Sequence, residues 1–360
     1  MRLLIGLPYD YEKYGGLKIL INNYSKGLSA LGVDVQLLLL PYHAVSRKAL
    51  SKYQEELDDW IAMGREDHGS DIIMGFTLNQ VYILQKYMDL HGLKTFAFMM
   101  DSLTLRNESM LNVQKEKRLP IWIKYWVYRY KESYCIRMYD RLLYVSLADI
   151  DYINRRFMRQ IKNKHIYFLT NGVNIPYDYH NNRITNGGQL TLGILSDGED
   201  INLYPLLNDI FPMIQQKNPN TRLVIGGKVM PKQLSLISSM NAVEYIGFVE
   251  KIEDFYNQID VVVTTVAKQC GVINRILEAW AYEKAVIGYK HNFYTFKDAI
   301  EGSEYVSCTK AAEFAEVIYQ FEAGNIDYKQ LGINGRRLVD NRYRWDDRCR
   351  ELKQILFEDC

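Results

Sequence analysis

The chain has 360 residues, 48% hydrophobic and 24% charged, with a net charge of +1. That length has room for two or three domains, and the composition is that of a globular protein rather than a disordered or fibrous one. The five cysteines (Cys135, Cys270, Cys308, Cys349 and Cys360) show no CxxC spacing and the six histidines no HExxH or HxxxH pattern, which speaks against a zinc site or a disulfide framework and suits a reducing compartment.

From Met1 and Arg2 the chain runs straight into an apolar run at residues 3–7. With no signal peptide and no 18-residue apolar span, a cytoplasmic protein is expected, free or peripheral. The run suits an inner strand. The loop 8–16, PYDYEKYGG, ends it, and from Leu17 the pattern Leu17, Leu20, Ile21, Tyr24, Leu28, Leu31 is helical. Residues 33–40 form the next strand. Gly15 and Gly16 therefore lie where a first strand hands over to a first helix, the place where ligands sit in open α/β sheets. They allow a ligand close to the backbone; a plain tight turn is the other reading. No GxGxxG occurs, which speaks against a dinucleotide oxidoreductase.

The alternation continues with a helix at 44–62, a strand at 71–76, a helix at 79–90 and a strand at 93–100. Asp101 then stands at the carboxyl end of a buried strand, on the same rim as Gly15 and Gly16 if the sheet is parallel; it reads equally as a helix cap. Residues 101–170 hold 14 basic against 7 acidic residues. Within them, 115–138 interleaves Lys115, Lys117, Arg118, Lys124, Arg129, Lys131 and Arg137 with Trp122, Tyr125, Trp126, Tyr128 and Tyr130. With Pro120 as first helical residue, this segment reads either as a helix for the headgroup layer of an anionic membrane or as a core helix with its rings inward. No nucleic-acid reader motif accompanies the bases, so nucleic acid is not an expected partner. A strand at 141–145, a helix at 148–157 and a strand at 165–168 follow. The polar stretch leading to Gly188 marks a domain boundary.

The second half restarts the pattern: strand 190–195, helix 203–214, strand 222–225, a strand-like run at 243–246, a helical turn at 253–258 and strand 260–266. Residues 269–288, QCGVINRILEAWAYEKAVIG, complete a strand–loop–helix–strand unit. Gly271, Asn274, Arg275 and Glu278 fall at i, i+3, i+4 and i+7, on one helix face. Arg275 near a helix N-terminus is unfavourable for the dipole unless an anion binds there. The face reads as a phosphate site with a hydroxyl-rich neighbour, or as a solvated face with an ordinary charge pair. Further strands at 285–287 and 305–306 and helices from 311, 328 and 345 finish the chain. The fold class is α/β: two Rossmann-like domains facing a cleft.

In order and spacing these segments resemble the glycosyltransferase-B superfamily, in particular the family-4-type retaining nucleotide-sugar transferases. The resemblance rests on Gly15-Gly16 with Leu31-Gly32-Val33-Asp34-Val35, on Asp140 to Ser146 with Asp149, and on the Thr170-Asn171-Gly172-Val173-Asn174 turn. It rests further on Leu223-Val224-Ile225-Gly226-Gly227 and on Gly271-Val272-Ile273-Asn274-Arg275-Ile276-Leu277-Glu278-Ala279. It implies an acceptor-side domain at 1–170, a nucleotide-sugar domain at 171–343 and a final helix at 344–360 that crosses back to the first domain. It implies that Glu278 accepts from the ribose of a UDP-, GDP- or TDP-sugar, and that Arg275 and the N–H groups from Gly271 onward hold the diphosphate. Asn274 belongs to the same motif, Gly15 and Gly16 close on the donor, and Asp101 orients the acceptor hydroxyl. No metal or other cofactor is implied. The sequence departs from the family at Cys270, where a glutamate often stands eight residues before Glu278, and at 195–200, LSDGED, where the family carries bases; Lys268 takes their place. The expected function is sugar transfer to a glycan or lipid-linked acceptor in capsule, exopolysaccharide or cell-wall polysaccharide synthesis, at the inner face of the plasma membrane through 115–131. The alternative is a non-catalytic partner subunit that keeps the fold.

Overall fold

The computed structural model describes the chain except residues 43–45, 65–70, 115–116, 178, 180–188, 199 and 359–360 and the side chains of 200 and 201. The expected start of the helix at 44, the first two residues of the basic–aromatic segment and most of the polar boundary stretch lie outside the described residues. The chain divides into two units. The first is Met1–Gly172 with Cys270–Val272 and Trp345–Cys360; the second is Val173–Gln269 with Ile273–Arg344.

In the first unit the strands are β1 (Arg2–Pro8), β2 (Asp34–Leu40), β3 (Asp71–Phe76), β4 (Lys94–Met100), β5 (Arg141–Tyr144) and β6 (His165–Phe168). The helices are α1 (Gly15–Ala30), α2 (Ser51–Ala62), α3 (Leu78–Tyr87), α4 (Leu103–Val113), α5 (Arg118–Met138) and α6 (Leu147–Arg156). The sheet is parallel in the order β2-β1-β3-β4-β5-β6. Helices cover both of its faces, so β1 and β3 are buried along nearly their whole length. The helix expected from 17 starts at Gly15. α4 was not expected, because its sequence shows no apolar stripe; Ser102 starts it by accepting from the N–H of Leu105 at 3.1 Å. α5 starts at Arg118, which puts Pro120 in the first turn rather than at its first position.

In the second unit the strands are β7 (Thr191–Asp197), β8 (Arg222–Lys228), β9 (Val243–Gly247), β10 (Val261–Thr264), β11 (Ala285–Tyr289) and β12 (Tyr305–Cys308). The helices are α7 (Asp200–Pro205), α8 (Phe211–Lys217), α9 (Pro231–Ile237), α10 (Ile252–Tyr256), α11 (Asn274–Ala281), α12 (Ala311–Glu322) and α13 (Tyr328–Arg342). The order β12-β11-β10-β7-β8-β9 is again fully parallel. The helix expected at 203–214 is interrupted by a π-helical turn, Leu206–Ile210, flanked by Pro205 and by Pro212, which has no N–H to donate into the ladder.

The last helix, α14 (Trp345–Phe357), belongs to the core of the first unit. It crosses α1 closely: a Cβ at Gly27 would lie 2.3 Å from Cys349 Sγ. The Trp345 ring meets Tyr24 edge-on with centroids 5.4 Å apart.

One carboxyl is sealed inside this unit. Glu132 on α5 is fully buried and accepts from Ser102 Oγ at 3.0 Å. Burial pushes its pKa up to about 7, with Thr104 and then the Ser102 hydrogen bond opposing. The folded state therefore binds this proton more tightly than the unfolded chain, and stability falls as pH rises through that value, by about 3 kcal/mol in all. Glu132→Gln is expected to melt close to wild type near pH 5 and several degrees above it at pH 8. Thermal melts at the two pH values measure this; a constant difference between the proteins would refute the assignment.

Candidate functional site

In each sheet the strand order reverses beside its first strand, between β1 and β3 in one unit and between β7 and β10 in the other. The carboxyl ends of the strands at such a reversal leave a crevice. In the second unit its walls include Ser196 and Asp197 at the end of β7, Thr264 to Val266 after β10, Asn202, Phe255, Tyr256 and Arg275. α11 is held by Ile276, Leu277, Ala279, Trp280 and Ala281 on its buried side. Ile273, at its N-cap, offers no side-chain hydrogen bond, so the first-turn N–H groups have no cap from that position. Asn274 opens the helix, Arg275 follows, and Glu278 lies one turn on. Burial pushes the Glu278 carboxyl up, and Arg275 draws it back down. Among the described residues neither side chain is engaged in an ion pair. Tyr256 is fully buried against this pair; burial first and then Glu278 raise its hydroxyl pKa well above the usual value. Its ring stacks on Tyr282 at 4.5 Å. Sequence reading passed over Tyr256, which sits on a single helical turn with no motif around it.

The loop after β10 carries Lys268 and is tied down on several sides. Asn202 accepts from the N–H of Ala267 at 3.2 Å, and its own carbonyl accepts from Thr265 Oγ1. The Val266 carbonyl meets His291 Nε2 at 2.7 Å and Asn292 Nδ2 at 2.8 Å. Burial lowers the His291 pKa, so a neutral ring with its proton on Nε2 fits. Along 195–200 the chain has no base, but the parallel register sets Lys228 opposite Asp197. Gly227 has φ +89, and a Cβ there would meet the Ser196 carbonyl at 2.3 Å; no other residue fits.

In the first unit a cavity of about 230 Å³ opens at the β1/β3 reversal, lined by Tyr14, Tyr42, Thr77, Asn79, Met100, Asp101 and Arg106 among others. Gly15 and Gly16 start α1 beside it. Both are exposed, and a Cβ on either would meet nothing within 4 Å. Neither turn geometry nor packing therefore demands glycine there. Two non-glycine residues on the crevice rim hold left-handed φ, Thr77 at 76° and Met100 at 58°; such strain clusters at functional sites.

Asp101 follows Met100. The structure brings it against Gly271: a Cβ at Gly271 would lie 2.5 Å from Asp101 Oδ1, and Gly271 has φ +71. Gly271 is thus not on the α11 face, where its spacing placed it. It precedes the helix by three residues, groups with the first unit, and gives its N–H to Asp149 Oδ2 at 2.9 Å. The positive φ ends the helical pattern, and spacing alone cannot show it. Asp149 is completely buried, and its other oxygen accepts from the N–H of Ser102 at 2.9 Å. Burial, and after it the Asp101 charge, hold its carboxyl well above the usual range. Gly15, Gly16, Asp101 and Gly271 therefore belong to the first unit, and Lys268, Asn274, Arg275 and Glu278 to the second.

α5 has two apolar faces. Ile121, Tyr125, Cys135 and Ile136 are buried. Leu119, Trp122, Ile123, Trp126, Val127 and Tyr130 are exposed, with Trp122 at 51% and Trp126 at 48%, and their spacing makes one continuous stripe. Arg129 lies 5.1 Å over the Trp126 ring. Packing explains one face only. Among the described residues no helix is long and apolar enough to cross a membrane, and no three His, Cys, Asp or Glu side chains are grouped to hold a metal ion.

Residues 190–322 match the family model described as glycosyl transferases group 1. No curated protein matches the chain. Solved structures similar along the whole chain include Anabaena Alr3699/HepE in complex with UDP and glucose, with a TM-score of 0.69 and 13% identity over 99% of this chain and 100% of that one. Sucrose-phosphate synthase from Thermosynechococcus elongatus has a TM-score of 0.69 and 14% identity over 99% and 98%. A glycosyltransferase from Rickettsia africae has a TM-score of 0.65 and 15% identity over 99% of each chain. At these identities the likeness is one of fold. Two parallel α/β units and these similarities agree: the chain has the glycosyltransferase-B fold, and residues 190–322 of its second unit match the glycosyl transferases group 1 model.

Proposed function

We propose that the protein is a glycosyltransferase that moves a sugar from a nucleotide diphosphate-sugar to a glycan or lipid-linked acceptor. The observation that carries this is the placement of Arg275 in the crevice wall at the start of α11, with Glu278 one turn further on, beside the strand-order reversal of the second unit. Arg275 and the first-turn N–H groups suit a diphosphate. Glu278 suits the two hydroxyls of a ribose, and Lys268 and Asn274 complete the donor contacts. A uridine nucleotide is favoured because Anabaena HepE, of the same fold, was solved with UDP and with UDP-glucose. In the reaction the bond from the anomeric carbon to the β-phosphate oxygen breaks, the bond to the acceptor oxygen forms, and the acceptor's hydroxyl proton passes to the leaving diphosphate. Charge grows on the leaving diphosphate, where Arg275 and the amides stabilise it without a resident metal. Asp101 accepts a hydrogen bond from the acceptor hydroxyl and orients it. Transfer proceeds with retention, in keeping with the family resemblance.

The exposed stripe of α5, flanked by Lys117, Arg118, Lys124 and Arg129, supports a peripheral position on an anionic membrane, where a lipid-linked acceptor for a capsule, exopolysaccharide or cell-wall polymer resides.

Two measurements test the reading. Incubation with UDP-, GDP- and TDP-sugars is expected to raise the melting temperature with at least one of them. Glu278→Ala should weaken that binding about tenfold or more, whereas Arg275→Ala should lower turnover more than affinity; wild-type behaviour of either variant would sink the donor assignment. For α5, Trp122→Ser with Trp126→Ser is expected to abolish co-sedimentation with vesicles rich in anionic lipid and to leave the melting temperature nearly unchanged. Sedimentation equal to wild type would mean that the stripe does not face lipid.

A further inference from the structure

Asp149 does not line the crevice that Asp101 lines, yet it determines where Asp101 can be. It is wholly buried on α6, and each carboxylate oxygen accepts one backbone N–H, from Ser102 and from Gly271, both at 2.9 Å. Those residues bracket Asp101. Ser102 follows it in the chain. Gly271 lies against its carboxylate so closely that any side chain there would collide with it. On the other side Met100 holds φ 58°, a conformation that persists only where the surroundings impose it. Ser102 is anchored a second time, its Oγ donating to Glu132 Oε2 and accepting from the N–H of Leu105. Asp101 thus stands between a strained residue and a clamped one, with a glycine fixed against its carboxylate.

The residue type matters. Only a carboxyl group, with an oxygen at each end of this short side chain, can take both N–H groups; an amide would accept from one N–H and turn its NH₂ against the other. A buried carboxyl next to another carboxylate is costly, so its place here needs a reason that packing alone does not supply.

We propose that Asp149 is the positioning residue of the transfer reaction: by tying the N–H groups of Ser102 and Gly271 it holds the Asp101 carboxylate in the orientation that receives the acceptor hydroxyl. This rests on the role of Asp101 under the proposed function. Asp149 touches no substrate, so its effect runs entirely through Asp101.

The test combines hydrogen exchange with a double-mutant cycle. In Asp149→Asn, amides in segments 101–103 and 270–272 are expected to exchange at least tenfold faster than in wild type, with the rest of both units unchanged. With the best nucleotide sugar, Asp149→Asn should lower kcat tenfold or more while the donor KM stays within twofold. Added to Asp101→Asn it should lower kcat by less than a further twofold. Gly271→Ala, which displaces the same contact and leaves Asp149 intact, should give the same kinetic pattern and covers the case in which the Asn variant fails to fold. Unchanged exchange in the two segments overturns the clamp. Losses that multiply in the double variant overturn its action through Asp101. Should wild type transfer no sugar from any donor, the proposed function fails by itself, and the exchange measurement still decides whether the clamp exists.

Discussion

Parallel strand pairing constrains everything else in this molecule. A parallel strand cannot be reached by a tight turn, so each pair needs a crossover, and the crossovers bury both faces of the sheet. Each unit has six such strands, and each reverses its order beside its first strand. Two consequences follow. The strand sequences become short apolar runs without alternation. The polar chemistry is left to the carboxyl ends, where Thr77, Met100, Asp101, Ser196 and Thr264 all lie. The strained residues Thr77 and Met100 stand there too, at ends where the chain turns sharply and the ladder no longer dictates φ.

The rims of the two units use opposite electrostatics. In the second, a helix start with no side-chain cap presents Arg275, and the dipole and the guanidinium together favour an anion. In the first, three acidic side chains, Asp101, Asp149 and Glu132, lie around Ser102. Burial opposes ionisation of Asp149 and Glu132, while hydrogen bonds from Ser102 and Gly271 oppose the loss of their acceptor capacity.

Most of the alternation of strand and helix was legible, because buried parallel strands and amphipathic helices have distinct periods. α4 escaped because its helix is set by the Ser102 cap and by packing rather than by an apolar stripe. The helix expected at 203–214 forms, but it carries a π-helical turn at Leu206–Ile210, next to Pro212, which has no N–H to donate into the ladder. Gly271 was assigned to the α11 face because it fits the i, i+3, i+4, i+7 spacing; its φ of +71° takes it off the helix, and spacing carries no information about φ.

By itself the sequence determined the α/β class and the boundary region near residue 170, and it placed Arg275, Glu278 and Asp101 at element ends. These are properties of local periodicity and of residue type at a strand or helix terminus. Only the tertiary structure decided that Asp149 and Glu132 are buried beneath Asp101, that Tyr256 lies against Glu278, that α14 closes the core of the first unit, and that Trp122 and Trp126 face outward. The reason is physical: each of these depends on which side of an element is covered by residues far away in the chain. A helix with apolar residues on two faces, such as α5, reads the same in sequence whichever face the fold covers.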